Sequence, residues 1–230
     1  MKTPGATNLI LDSLSASDGA VLGAHLRPVK LIHKQVLFDI GDLARRVYFP
    51  TTGVISLVLG LSTGEFVETA MVGREGVIGA SSALDGKVSL NRAIVQLSGD
   101  AMECQAEVLA NAAYGSRPLM SALIRHEETV LAQAQQTVAC MAAHDTQARL
   151  CCWLLRARDL ARSDSLPFTQ EFLAEMLGVK RTSISPIAHT LQQAGMIRYA
   201  RGRIAITNAE GLEGRACECY RAARMNYIKP

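Results

Sequence analysis

In the first half of the chain apolar residues come in short runs, at 47–49, 54–59, 66–72 and 93–97, cut by glycines at 41, 53, 60, 64, 73, 76, 79, 86 and 99. Glycine and proline punctuate turns and are costly inside helices, so this spacing predicts many short strands and hence a β-sandwich, barrel or roll. Between Pro118 and Pro167 neither residue occurs, and Leu, Ala, Gln, Glu, Met and Arg dominate, which predicts helix. One helix from 119 to 162 would run about 66 Å at 1.5 Å per residue, long for a globular domain. A break is therefore expected at Asp145, an N-cap ahead of the apolar series Leu150, Trp153 and Leu154. Within the first segment Met120, Ile124, Leu131, Ala134, Val138 and Met141 recur at three- and four-residue spacing over about three heptads, with Glu127 the outlier. This seam suits pairing with the same helix of a second chain, the alternative being that it packs on its own β domain.

After Pro167 the pattern changes again. With Gln170 as the first position, a small residue stands fifth (Ala174) and a glycine ninth (Gly178). Leu173, Leu177, Val179, Ile184 and Ile187 fill the apolar positions between two short helices. Ala174 allows the helices to approach, Gly178 supplies a turn backbone that other residues resist, and the apolar set forms their shared core. This is a helix-turn-helix pattern. Downstream, two apolar runs flank Arg201-Gly202, predicting a β-hairpin in the place of a wing. Lys180 and Arg181 open the second helix, and Arg198, Arg201 and Arg203 lie on the hairpin, at groove-entry and backbone-contact positions. Pro186 would remove a helical donor and clash with the carbonyl of Thr182, so the second helix is expected to start late, capped by Ser183, or to kink at 182–186.

Charge sharpens this division. The net charge of +3 separates into 11 basic against 14 acidic residues over 1–145 and 13 against 7 over 146–230. Such asymmetry points to a nucleic-acid or membrane-surface partner. With 230 residues and 49% hydrophobic content a packed core is affordable, while no apolar run approaches the roughly 20 residues of a bilayer span. The opening segment lacks the basic start, apolar core and cleavage site of a secretory leader, so a cytoplasmic protein without membrane association is expected. Six cysteines (104, 140, 151, 152, 217 and 219) form no Cys-x-x-Cys pair and are expected as free thiols, the 151–152 pair as buried helix packing and the 217/219 pair as an inert tail. His25, His33, His126, His144 and His189 show no pairing that favours a metal. There is no phosphate loop, nucleophile elbow or metal-ligand pair, so no enzyme is expected.

The order of parts resembles the CRP/FNR family of bacterial transcription regulators, from about Leu9 to Ile206. The run 36–56, with Gly41 and Gly53 at its turn glycines, is similar to the family's cyclic-nucleotide-binding fold, and Gly76-Val-Ile-Gly79 to the entry of its phosphate-binding cassette. The resemblance implies an α+β protein: an N-terminal β-roll (double-stranded β-helix or jelly roll) over 1–118, a dimerisation helix over 119–144 and a winged helix-turn-helix over 145–230. It implies a homodimeric regulator controlled through the roll, binding double-stranded DNA at a near-palindrome, with RNA polymerase as a further partner. Lys180, Arg181, Thr182, Ser183, Ser185, His189, Arg201 and Arg203 are the expected DNA-contacting residues. Gly79, Ala80, Ser81, Asn91 and Arg92 mark the effector pocket. Family members that bind cAMP follow the cassette glycine with Glu and later place Arg-Ser, whereas this chain has Ala80 and Asn91-Arg92, so cAMP and cGMP are not expected. Arg92 is instead expected as a surface or ion-paired side chain. Nor is an iron–sulfur cluster or haem expected, since no cysteine precedes Cys104 and no axial pair stands out. In the second helix Thr182 replaces the family's frequent Glu and Pro186 a second Arg, so base preference should differ and Arg181 is the best guanine reader. The rival reading is a ligand-sensing protein whose helix-turn-helix contacts protein.

Overall fold

A computed structural model describes residues 7–62 and 64–227. Residues 1–6, which open the segment read above as lacking a leader, and residues 228–230 lie outside them. The elements follow in the order α1 (Leu9–Ser13), α2 (Ala16–Gly23), β1 (Arg27–Leu31), β2 (Val36–Phe38), β3 (Arg46–Pro50), β4 (Val54–Gly60), β5 (Phe66–Val72), α3 (Ala80–Asp85), β6 (Arg92–Leu97), β7 (Gly99–Gln105), α4 (Ala106–Gly115) and α5 (Arg117–Ala143). Then come α6 (Thr146–Ala161), β8 (Ser165–Leu166), α7 (Gln170–Met176), α8 (Arg181–Gln193), β9 (Ile197–Ala200), β10 (Arg203–Ile206), α9 (Ala209–Glu213) and α10 (Cys219–Tyr227). Two compact units result: one of Met1–Leu57 with Met71–Leu131, the other of Val58–Ala70 with Ala132–Pro230.

The short apolar runs form strands as their punctuation predicts. An antiparallel sheet has the order β1-β7-β3, and a four-stranded sheet the order β2-β6-β4-β5. In the first unit Val47 and Phe49 of β3 are fully buried, packed with Ile10, Leu22, Leu109, Leu119 and Leu123 from the helices. Alternation along β3 sends these side chains to one face, where the helices exclude water from them.

Helix α5 begins two residues earlier than the reading from residue 119. It ends at Ala143, and Asp145 caps α6 by accepting a 2.9 Å hydrogen bond from the Ala148 amide. The expected break therefore falls where a side chain satisfies an orphan helix donor. Along α5 one face buries Leu119, Leu123, His126, Gln133 and Cys140. Ile124, Leu131 and Val138, seven residues apart, are 52%, 59% and 68% exposed in the single chain. Glu127, the charge interrupting that seam, is half-buried and hydrogen-bonded to Ser81, and burial raises its carboxyl above the usual range.

His126 carries a pH dependence. Its Nε2 donates to the Val77 carbonyl at 2.7 Å, and burial pushes the imidazole down to about 4 from an ordinary 6.5. The unfolded chain thus takes up this proton near pH 6.5 and the native state only near pH 4. The stabilisation is complete above pH 6.5 and is lost as pH falls through that window, with a loss of about 2 kcal/mol at pH 5. Denaturant unfolding at pH 7 and pH 5 should show this loss in the wild type and a smaller one in His126→Gln. Equal losses in both would place the acid sensitivity elsewhere.

Candidate nucleic-acid interface

The helix-turn-helix forms from α7, a four-residue turn and α8. Thr169 caps α7 by accepting from the Phe172 amide at 3.1 Å. Gly178 takes the left-handed conformation (φ 62°) that sharpens the turn, and a side chain there would be strained as well as crowding Val67. Leu173, Ala174, Leu177, Ile184, Ala188 and Leu191 are buried between the helices, while Val179 and Ile187 of the expected core set are only half-buried. Behind them Trp153 meets Phe168 and Phe172 edge-on at 5.0 and 6.2 Å, and its Nε1 donates to the buried Glu68 at 2.8 Å. Arg149 donates to the Leu177 carbonyl, holding the turn from α6.

Burying one face of α8 fixes what the opposite face presents. Lys180, the N-cap residue, and Arg181, Thr182 and Ser183 of the first turn are all exposed, as is His189 two turns on. Arg181 lies 3.6 Å from Glu171 in an exposed pair, an interaction weak enough to exchange for another anion. Ser185 is engaged differently from its neighbours: its hydroxyl donates to Gln170 Oε1 at 2.6 Å, tying α8 to α7.

The expectation that the helix starts late, capped by Ser183, is corrected. Helix α8 runs as one element from Arg181 to Gln193 with Pro186 inside it. The carbonyl deprived of a donor is that of Thr182, in the exposed first turn, and Pro186 is itself exposed, so water can replace the lost bond.

The hairpin forms where Arg201-Gly202 predicts it. Strands β9 and β10 pair antiparallel with Arg203 opposite Ala200 and Ala205 opposite Arg198, and β8 joins the outer side of β10. Both turn residues are left-handed, Arg201 at φ 49° and Gly202 at φ 73°, as a two-residue hairpin turn demands. Ile197, Ile204 and Ile206 point inward, leaving Arg198 and Arg203 exposed on the same opposite face with Arg201 at the tip.

The residues read as an effector pocket fall at the start of α3 and at the entry to β6. Gly79 caps α3 in the left-handed region, Ala80 is fully buried, and Ser81 is exposed and bonded to Glu127. Asn91 is half-buried, its carbonyl accepting from Ser89 Oγ at 2.8 Å. Arg92 forms a two-pronged pair with Asp39, Nε to Oδ1 at 3.0 Å and the second nitrogen to Oδ2; this pair lowers the Asp39 carboxyl and raises the guanidinium. Its charge is thus already matched by a partly exposed carboxylate.

Two cysteine readings part company. Cys151 and Cys152 are buried on α6, and burial pushes the Cys151 thiol up to about 12, which keeps it protonated and unreactive. Cys217 and Cys219 do not lie in an exposed tail: they are 8% and 3% exposed and converge on Cys140 of α5 and on His144 just past its end, with the four donor atoms within 4.8 Å of one another. His144, read as having no metal-favouring pairing, has these three thiols as neighbours. The signal missed was Cys140 and His144 at i and i+4, one helical face.

A winged helix-turn-helix joined through a long helix to a β-rich unit defines the architecture of the CRP/FNR transcription regulators. Residues 148–215 match the Crp-like helix-turn-helix domain family. The chain is 24% identical over 204 residues to the global nitrogen regulator of Synechocystis sp., covering 83% of this chain and 90% of that protein. In structure it is similar to a CRP/FNR-family regulator from Eubacterium rectale, with a TM-score of 0.72 at 15% identity over 90% of this chain and 96% of that one. A CRP-family regulator from Thermus thermophilus gives a TM-score of 0.70 at 19% identity, covering 82% and 96%. The family resemblance read in the sequence therefore holds: the chain has the CRP/FNR fold and carries a Crp-like helix-turn-helix domain.

Proposed function

We propose that the protein is a homodimeric, sequence-specific DNA-binding transcription regulator of the cytoplasm, controlled through a cyclic-nucleotide-binding-like domain that does not take cAMP or cGMP. The observation that carries the reading is an exposed, basic first turn on α8 together with an arginine-bearing hairpin in the same unit. The domains are a roll over 1–118, a dimerisation helix over 119–144 and a DNA-binding module over 145–230. Pairing along Met120, Ile124, Leu131, Ala134, Val138 and Met141 covers the exposed stripe of α5. Two α8 helices then enter successive major grooves about 34 Å apart, so the operator is a near-palindrome. Arg181, Thr182 and Ser183 face base edges, with Ser185 and His189 beside them, while Lys180, Arg201 and Arg203 hold phosphates. The Asp39–Arg92 pair and the buried Ala80 support the exclusion of cyclic nucleotides, since neither a free guanidinium nor a ribose acceptor is offered. An effector or interface change in the roll acts through α5 and the Asp145 junction. RNA polymerase is the further partner such a regulator engages. Among the described residues no helix is long and apolar enough to cross a membrane, in keeping with this role.

The roles separate experimentally. Arg203→Ala should weaken binding to every duplex and reduce the slope of log K against log salt by about 1, the signature of one lost phosphate contact. Arg181→Ala should relax preference at one base pair per half-site by about 1–3 kcal/mol. Fluorescence anisotropy on operator and scrambled duplexes over a salt series reads both; equal changes of both kinds in either variant would overturn the assignment.

A further inference from the structure

We propose that Cys140, His144, Cys217 and Cys219 form a closed, four-ligand zinc site that locks the end of α5 to the segment entering α10. Cys140 lies in the last turn of α5 and His144 directly follows the helix, its amide donating to the Cys140 carbonyl at 3.1 Å, while the other two ligands flank Glu218, so separate stretches of chain supply a pair each. Three thiols and one imidazole are the donor set of a structural Cys3His centre. The spacing suits it. A tetrahedral ion with Zn–S near 2.3 Å and Zn–N near 2.0–2.1 Å has S···S edges of about 3.8 Å and S···N edges of about 3.5 Å. Cys140 Sγ lies 3.5 Å from Cys217 Sγ, and Cys219 Sγ lies 3.6 Å from His144 Nδ1.

The surroundings are those of a supported metal centre as well. His144 Nε2 stands 3.2 Å from Glu218 Oε1, so the carboxylate fixes the tautomer that leaves Nδ1 as the ligand. Gln136 Nε2 donates to Cys219 Sγ at 3.0 Å, offering a hydrogen bond to a bound thiolate. The three cysteines are buried, and soft thiolates select zinc over hard cations. On binding, each of the three thiols releases one proton to solvent and the imidazole stays neutral, so the site carries one net negative charge. His144 is the residue before the Asp145 cap, and Tyr220 next to Cys219 donates to Asp159 of α6 at 2.8 Å, so the ion would fasten the α5–α6 junction to α10.

The test uses the reduced, metal-free full-length chain. Titration with zinc against a chromophoric chelator should give one ion per chain. Cobalt(II) should give the intense visible bands and sulfur charge transfer of a tetrahedral thiolate site. Zinc at about 100-fold over its Kd should raise the melting temperature by roughly 5–10 °C. A variant with Cys217→Ser and Cys219→Ser should lose all three responses, and Cys104→Ser should keep them. Should the double variant fail to fold, Glu218→Gln decides: it leaves every ligand in place and should weaken zinc about 10–100-fold. A pale octahedral cobalt spectrum, zinc binding unchanged in both variants, a protein isolated with iron and sulfide, or a Cys140–Cys217 disulfide that persists in place of zinc uptake would overturn the proposal.

Discussion

Leu131→Asp should convert the protein to monomers. Leu131 is 59% exposed on a helix whose opposite face is packed, and it sits midway between Ile124 and Val138 at seven-residue spacing. In a parallel pair it faces its symmetry mate, so the substitution removes two buried leucines at about 1.5–3 kcal/mol each and sets two carboxylates against one another. The dimer constant should rise by about 10²–10⁴-fold, read by sedimentation equilibrium. Because the side chain is exposed within one chain, far-ultraviolet circular dichroism and melting of the monomer should change little. Affinity for a full operator should fall toward that for one half-site, since the second module no longer binds as a linked partner. A wild-type monomer, or a variant still dimeric at the same concentrations, would remove the seam from the account.

The second large effect is expected at Trp153. Its ring lies against Phe168 and Phe172, 6% exposed, and its Nε1 donates to a Glu68 that is itself 5% exposed. Trp153→Ala should destabilise the unit containing the helix-turn-helix by about 3–5 kcal/mol, through lost burial and an unfilled cavity. Trp153→Phe keeps most of the ring packing and removes the donor, so it should cost about 1–3 kcal/mol from the carboxylate left with one partner fewer. Trp153 is the only tryptophan, so urea unfolding has to be followed by circular dichroism. Similar losses in the two variants would assign the energy to the Glu68 hydrogen bond and not to the aromatic cluster.

What was legible in the sequence was whatever local pattern encodes. Glycine spacing marked the strands, a stretch free of glycine and proline marked α5 and α6, and Asp145 marked the junction because capping is a property of one residue and its next turn. Ala174, Gly178 and Arg201-Gly202 revealed the helix-turn-helix and wing for the same reason. The misjudgements came from context that adjacent residues do not carry. Pro186 looked disruptive because helix rules weigh the lost donor, whereas the exposed first turn lets solvent meet the Thr182 carbonyl. The commitment of Ser185 to Gln170 requires knowing how α7 and α8 cross. Cys140 and Cys217 are separated by 77 positions, so no window of sequence places their sulfurs 3.5 Å apart. Half of that cluster was nonetheless visible as a cysteine and a histidine one helical turn apart.

Two copies of α8 are proposed to read a symmetric DNA site. Selection from a randomised duplex pool with the full-length protein at moderate salt, followed by titration of the recovered sites, tests it most directly. The expected product is an inverted repeat with half-site centres about 34 Å apart, bound by one dimer, with log K falling steeply as log salt rises. Recovery of no preferred sequence, or of an unsymmetrical site bound by a single chain with little salt dependence, would contradict it.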